Sequence, residues 1–124
     1  MNPYQYAVLR CVPRPDREEF VNVGVVLHCQ SSNFLGAAWH VDPIRLAALA
    51  PELDMDAVTA ALVAVDLVCR ADERAGLAAG GDQGTRFGFL TAPRSTVIQP
   101  GPVHSGLADD PAVALAELSD RLVG

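Results

Sequence analysis

The chain has 124 residues and a formal net charge of −6, and it is 50% hydrophobic and 19% charged. This length and composition are typical of one domain with a real hydrophobic core. All nine basic residues are Arg, and the acidic balance argues against general binding to nucleic acids or membrane surfaces, which needs an excess of positive charge.

Three apolar segments at the start of the chain are predicted strands. Tyr4–Val12 is largely apolar on both faces, which is typical of a central strand. Arg10 is the exception, and we expect its guanidinium to reach the sheet edge or a carboxylate. The turn residues QSSN join Val21–Cys29 to Phe34–Val41 as a hairpin. Alternation in the second strand predicts one apolar face made of Val21, Val23, Val25 and Leu27.

Aspartates mark the starts of three predicted helices. Asp42 followed by Pro43 is a cap-plus-proline signal for a short helix over Ile44–Ala50. Asp54 opens a longer helix that ends near Cys69 or Arg70, and Asp110-Pro111 opens the last one. Their buried stripes are predicted from the helical spacing of Val58, Leu62, Val65 and Cys69, and of Leu115, Leu118 and Leu122.

The segments between these helices are less regular. Residues 71–84 contain four glycines and are predicted to form a mobile loop. Its GGDQG lacks the GK[ST] ending of a phosphate loop. Thr85–Thr91 is ambiguous between a helix and a strand. Thr96–Gln99 is predicted as a short strand, and the prolines and glycines from Pro100 to Gly106 indicate a stiff, irregular loop.

These elements predict an α+β fold over residues 1–124. We expect a single two-layer domain with an antiparallel sheet of about four strands and helices mainly on one face, including the two longer helices. The apolar second face of the first strand then needs cover. Loop segments and a homodimer interface are two open alternatives.

The segment PRSTVIQPGPVHSGLADD carries the candidate site. Polar side chains on a stiffened loop are a usual setting for binding, and guanidinium and hydroxyl donors suit phosphate or carboxylate. The structural alternative is that Arg94 pairs with Asp109 or Asp110 and the hydroxyls bond the loop's own backbone. The predicted anion- or partner-binding residues are Arg94, Ser95, Thr96, His104 and Ser105, supported by Gln99, Pro100, Gly106 and Asp110.

Metal and nucleophilic chemistry are weaker predictions. His28, His40, His104 and Cys29 match no zinc-ligand spacing, so we expect no metal and no cofactor. Ser95 or Ser105 with His104 and Asp109 would supply the residue types of a triad. Adjacent residues such as His104 and Ser105 rarely point at each other, however, and no GxSxG motif is present.

Two long blocks, YQYAVLRCVPRPDREEFVNVGVVLHC and TAPRSTVIQPGPVHSGLADDP, resemble the bacterial family of uncharacterised domains DUF3037. The resemblance covers nearly the whole chain and implies a small stand-alone protein, often encoded beside a HipA-like serine/threonine kinase. It implies no activity. The family motif covers eight of the nine candidate site residues, all except Ser105. It implies no role for any of them.

We therefore expect a binding or accessory protein, with a HipA-like kinase as a partner, rather than an enzyme. The alternative is a small enzyme that acts on an anionic, phosphate- or carboxylate-bearing substrate through His104 and Arg94. The N-terminal MNPYQY lacks the regions of a signal peptide, and the three cysteines form no CxxC pair. A cytosolic location with buried, reduced thiols is the expectation.

Overall fold

Four antiparallel strands form one sheet in the order β3-β2-β1-β4. The computed structural model describes all 124 residues. The strands are β1 (Asn2–Cys11), β2 (Val21–Cys29), β3 (Phe34–Trp39) and β4 (Ile98–Ala108). The α-helices are α1 (Pro43–Leu49), α2 (Met55–Cys69), α3 (Gln83–Thr91) and α4 (Pro111–Leu122). The predicted α+β class and four-stranded antiparallel sheet are confirmed.

A bulge in β2 changes which of its side chains share a face. Leu9 of β1 pairs with Gly24, whereas Arg10 pairs with Asn22, so Val23 is an extra residue in the ladder. Val21 and Val23 therefore pack toward α2, while Val25 and Leu27 pack toward α4. The prediction that these four valine and leucine side chains form one face is wrong, because alternation does not continue through a bulge.

The segment predicted as an irregular proline-glycine loop is part of β4. The strand runs to Ala108 along the outer side of β1, well beyond the predicted Thr96–Gln99. Ala7 pairs with Val103 and Leu9 with Pro100, so a second bulge lies between these pairs. Prolines are tolerated here because an edge strand has one side without a hydrogen-bonding neighbour and a bulge leaves residues unpaired.

The sheet separates two hydrophobic cores. The larger core lies under α1, α2 and α3 and contains the predicted α2 stripe together with Ala7, Leu9, Cys11, Val23, Val26, Leu35, Leu46, Phe87, Leu90 and Ile98. The single tryptophan, Trp39, packs against it. The smaller core lies under α4 and contains Val25, Leu27, Cys29, Ala114, Leu115, Leu118 and Val123.

The helices lie mainly on one face, but the two longer ones do not share it. α2 packs on one side of the sheet, and α4 packs on the other, against β2 and β3. The sequence patterns give the buried stripe of each helix but not the side of the sheet on which it lies. α4 thus supplies part of the cover that the second face needs, and of β4 only Ala108 packs against the core beneath it.

Aspartate caps position every α-helix. Oδ1 of Asp42, Asp54 and Asp110 accepts backbone N–H groups of the first turn of α1, α2 and α4, and Asp82 caps α3 through Thr85 N at 2.8 Å. Residues 73–79 of the glycine-rich segment form 3-10 turns, and Thr85–Thr91 is helical. None of the helices combines the length and hydropathy that a membrane span requires.

Candidate functional site

Arg94 lies at the end of α3 and caps it. Its guanidinium is 5.0 Å from the centroid of the Phe89 ring. Nε donates to the carbonyl of Ala92 at 3.3 Å, and Nη2 donates to the carbonyl of Phe89. A cation that bonds the last carbonyls of a helix stabilises its C-terminus. The structure therefore gives Arg94 a local scaffolding contact, and neither Asp109 nor Asp110 is its partner.

Thr96 and Gln99 also bond the local backbone. Oγ1 of Thr96 donates to the carbonyl of Ile98 at 2.7 Å, and Nε2 of Gln99 donates to the carbonyl of Thr96 at 3.0 Å. These bonds hold the turn that leads into β4. The Oε1 atom of Gln99 remains free to accept, and the side chain of Ser95 is exposed and bonds nothing in the protein.

His104 and Ser105 lie further along β4 and on its two opposite faces. The imidazole of His104 lies 5.4 Å from the Tyr6 ring, centroid to centroid, on the α4 side. Ser105 pairs with Gln5 on the other side. At about 3.3 Å per residue, His104 is about 20 Å along the strand from Ile98. The structure thus does not bring Arg94, Thr96 and His104 onto one rim.

The supporting positions have structural contacts. Pro100 faces Leu9 across the β1–β4 ladder, and Asp110 caps α4. Gly106 pairs with Tyr4, whose ring fills the space beside it.

Two of the predicted residues, Ser95 and Gln99, lie in the same concavity, and the guanidinium in that concavity belongs to Arg10. All three line an open concavity of about 460 Å³ with Val12, Pro15, Glu18 and Phe20, which we call the Arg10 concavity. Gln99 is directly opposite Arg10 in the β1–β4 ladder. The turn at Pro15–Arg17 brings Phe20 over Arg10, with the guanidinium carbon 4.1 Å from the ring centroid.

The Arg10 guanidinium is held in place but has no polar partner. A side-chain carbon at position 101 would lie only 3.1 Å from its Cζ, so the backbone of Gly101 packs closely against it. Its Nε is buried without a hydrogen-bond acceptor, and no carboxylate lies within 4.0 Å. A stacked, unpaired guanidinium is pre-organised to bind a carboxylate or phosphate through its N–H groups. Glu18, exposed at the rim, is the one acidic residue of the concavity.

A second, larger concavity of about 700 Å³ lies across the other end of the sheet. Ser105, Gln5 and His28 form one cross-strand row in it. Burial lowers the pKa of His28, with Arg86 acting in the same direction and Asp82 against it. The lining is formed by neutral hydroxyl, amide and imidazole groups, so it offers hydrogen bonds without a fixed charge.

The histidines and thiols do not form a metal site. No three His, Cys, Asp or Glu side chains lie close enough to share an ion. His28 lies 5.5 Å from the Phe87 ring on the α3 side, and His104 contacts Tyr6 on the α4 side. Burial raises the pKa of the Cys69 thiol to about 12, so this thiol stays protonated and unreactive.

Comparison with known families agrees with the two sequence blocks. Residues 6–123 match the sequence model of the family described as "Protein of unknown function (DUF3037)". The chain belongs to this family. No curated protein and no solved structure matches it. Membership therefore supports the resemblance and assigns no activity.

Arg10 is the residue that the sequence pattern places least well. The pattern predicts that it reaches the sheet edge or a carboxylate; it does reach toward edge strand β4, and it stacks on an aromatic ring without a carboxylate. The signal is a lone charge on an otherwise apolar strand. The pairing with Gln99 depends on the register of β4, which the proline content of that segment conceals.

Proposed function

We propose that the chain is a binding protein whose Arg10 concavity receives an anionic group of a protein partner, and that this partner is a HipA-like serine/threonine kinase. The observation that carries the binding site is the stacked Arg10 guanidinium with no acceptor in the protein. The partner rests on the family resemblance. A cytosolic location, in keeping with three free, buried thiols, is part of the same proposal.

The chemistry of the concavity favours a carboxylate or phosphate. Phe20 covers one face of the guanidinium and the Gly101 backbone packs against it, so little side-chain entropy is lost when an anion binds. The Ser95 hydroxyl adds a donor at the same rim. Glu18 opposes a bound anion at this rim, and the negative net charge opposes it at long range. The affinity for a free anion should therefore be modest, and a partner must add contacts around it.

Binding is favoured over catalysis by the surroundings of the predicted residues. His104 is exposed on an edge strand and does not line the concavity that holds Arg10. Arg94 caps α3 at the other end of β4, so the pair on which the enzyme hypothesis depends does not meet. An open strand edge and a shallow concavity are typical of surfaces that bind protein partners.

The partner is tested by co-expressing the chain with a HipA-like kinase and measuring co-purification. Arg10→Gln should weaken the complex about ten- to a hundredfold, since one charge-assisted contact is lost. Glu18→Gln should strengthen it by removing the opposing charge. The matched control is Arg121→Gln, which removes an exposed arginine of α4 outside the Arg10 concavity and should change nothing.

The site is tested separately from the partner by titrating the protein with inorganic phosphate and following the Arg10 Nε–H signal by NMR. We expect a saturable shift that Arg10→Gln removes. Lack of co-purification would overturn the kinase as partner and leave the anion site to this titration. A complex that forms equally well with Arg10→Gln, together with no phosphate shift, would overturn the site.

A further inference from the structure

The outer edge of β4 has no neighbouring strand. β4 is the last strand of the sheet and pairs only with β1. Between Ile98 and Ala108 it has no Lys, Arg, Asp or Glu. Val103 is 44% exposed and Leu107 is 61% exposed. Proteins usually protect an exposed edge with charges, prolines or a covering segment, because its free N–H and C=O groups recruit another strand.

The second half of this edge has the longer run of free donors. Val12 N donates to the carbonyl of Val97, so these two residues form a hydrogen-bonded pair. Hydrogen-bonded and non-hydrogen-bonded pairs alternate along the ladder, which makes Leu9 and Pro100 a non-hydrogen-bonded pair and turns the N and C=O of Pro100 outward. The proline offers no N–H there. Pro102 lies in the bulge and also lacks an N–H. The two prolines therefore interrupt the first half, in which Ile98 keeps one outward N–H, and the residues after Pro102 include no proline.

The same alternation identifies the outward groups of the second half. Pro3 is opposite Leu107, has no N–H, and accepts from the Cys29 thiol through its carbonyl at 3.4 Å. Pro3 thus directs its polar groups toward β2, and Leu107 must turn its N–H and C=O away from β1. Two and four residues earlier, Ser105 and Val103 do the same. Three consecutive outward positions are free.

We infer that this edge pairs with the same edge of a second copy of the chain, antiparallel and centred on Ser105, to form a continuous eight-stranded sheet. In this register Ser105 faces Ser105 of the second copy, and Val103 faces Leu107. All three outward positions of each copy then form hydrogen-bonded pairs. A register centred on His104 or Gly106 uses only two of them, so the Ser105 register satisfies the most backbone groups.

The side chains are self-complementary in that register. Val103 and Leu107, both exposed in the single chain, would cover each other on either side of the serine pair. On the opposite face His104 would lie across from Gly106 of the second copy, beside the Tyr4 ring that fills the space next to that glycine. Each imidazole would extend the row that His104 already forms with Tyr6.

The association should be reversible and should respond to salt. A five-residue pairing is small compared with the roughly 800 Å² per partner of a standard stable interface. Each copy also carries a net charge of −6, and the repulsion between copies is screened as ionic strength rises. The inference is independent of the proposed function, because the Arg10 concavity contains none of the residues 103–107.

Charge exchange tests the register. We expect sedimentation equilibrium to detect a dimer. Its fraction should rise with protein concentration, and its dissociation constant should fall as salt is added. Val103→Asp alone and Leu107→Arg alone should each raise the dissociation constant about tenfold or more, by leaving a charge against an apolar partner. The double variant places the introduced carboxylate of one copy opposite the introduced guanidinium of the other and should restore the dimer. Within one copy these positions are about 13 Å apart, too far for an ion pair.

Cross-linking gives a second test. The three native cysteines are buried, so Ser105→Cys would introduce the one accessible thiol of its variant. Facing residues of a hydrogen-bonded pair are about 5.5 Å apart, within reach of a disulfide. Mild oxidation should yield a covalent dimer, whereas the control Ser95→Cys, exposed before β4 begins, should stay monomeric. A protein that remains monomeric at all concentrations, or a dimer that Val103→Asp leaves intact, would overturn the inference.

Discussion

The ring of Tyr4 occupies the space that a side chain at position 106 would need. A Cβ atom on Gly106 would overlap with both Cζ and Oη of Tyr4, far inside van der Waals contact. Because Tyr4 packs against the smaller core, displacing its ring disturbs the contact of β1 with that core. Gly106 is thus required by a neighbour and not by its own backbone angles.

Gly106→Ala should destabilise the protein by about 1–3 kcal/mol, the usual cost of overpacking. Urea unfolding followed by circular dichroism measures this loss. Gly88→Ala is the matched control, since nothing lies within 4 Å of its added Cβ and the residue is in α3. That change should stabilise the protein by up to about 1 kcal/mol. Equal effects at the two glycines would contradict the role assigned to Tyr4.

Arg86→Met should destabilise the protein by about 1.5–3 kcal/mol, because it leaves two helix-terminal carbonyls without a charged donor. The Arg86 side chain is buried, and Nη1 donates to the carbonyls of Val68 at 2.9 Å and Cys69 at 2.8 Å, which end α2. Arg121→Met, at an exposed position with no hydrogen bond, should change stability by less than about 0.5 kcal/mol. Thermal unfolding of the two variants side by side decides the matter.

Stability should fall as the pH decreases through the range below about 6.5, the ordinary pKa of a histidine. Burial holds the pKa of His28 below its ordinary value of 6.5. Between the lowered pKa of His28 in the folded chain and its ordinary pKa in the unfolded chain, the unfolded chain binds more protons than the folded one. Stability therefore rises with pH in that window, and the contribution of His28 to stability is lost below it. His28→Gln should flatten the difference in urea midpoint between about pH 7.5 and about pH 5.5. His40→Gln leaves His28 in place and should keep the wild-type difference; a His28→Gln variant that keeps it too would refute the assignment.

Asp110→Ala should cost about 1 kcal/mol by removing the cap of α4. Oδ1 of Asp110 accepts from Ala112 N at 3.0 Å. Its neighbour Asp109 provides the control: that side chain is 84% exposed and reaches only the N-terminal ammonium, at 3.7 Å. Asp109→Ala should be nearly neutral, as exposed ion pairs contribute little. Chemical denaturation resolves a difference of this size.

The local features of the fold follow from the sequence. Asp42, Asp54 and Asp110 cap helices as predicted, and the α2 stripe is buried. These features depend on a few neighbouring residues. The placement of α4 opposite α2 does not follow, because an apolar stripe fits either side of a sheet whose central strands are apolar on both faces.

The errors in the sheet and the site share one cause. Bulges at Val23 and near Pro100 shift the alternation of side chains, and the sequence does not mark them. In the sequence, Pro100 and Pro102 favour a loop. A strand tolerates them here because β4 is an edge strand, and that position in the sheet is a tertiary property. With β4 extended, the predicted cluster separates: Ser95 and Gln99 meet Arg10, while His104 and Ser105 lie on opposite faces.

The division of the protein into two cores makes its aromatic residues reporters of different regions. Trp39 packs against the larger core, whereas Tyr4 and Tyr6 pack against the smaller one. Indole fluorescence therefore follows the α2 side, and near-ultraviolet tyrosine signals follow the α4 side. Unfolding curves from the two signals, recorded on the same sample without a label, will coincide when the layers lose structure together and will separate when α4 detaches first.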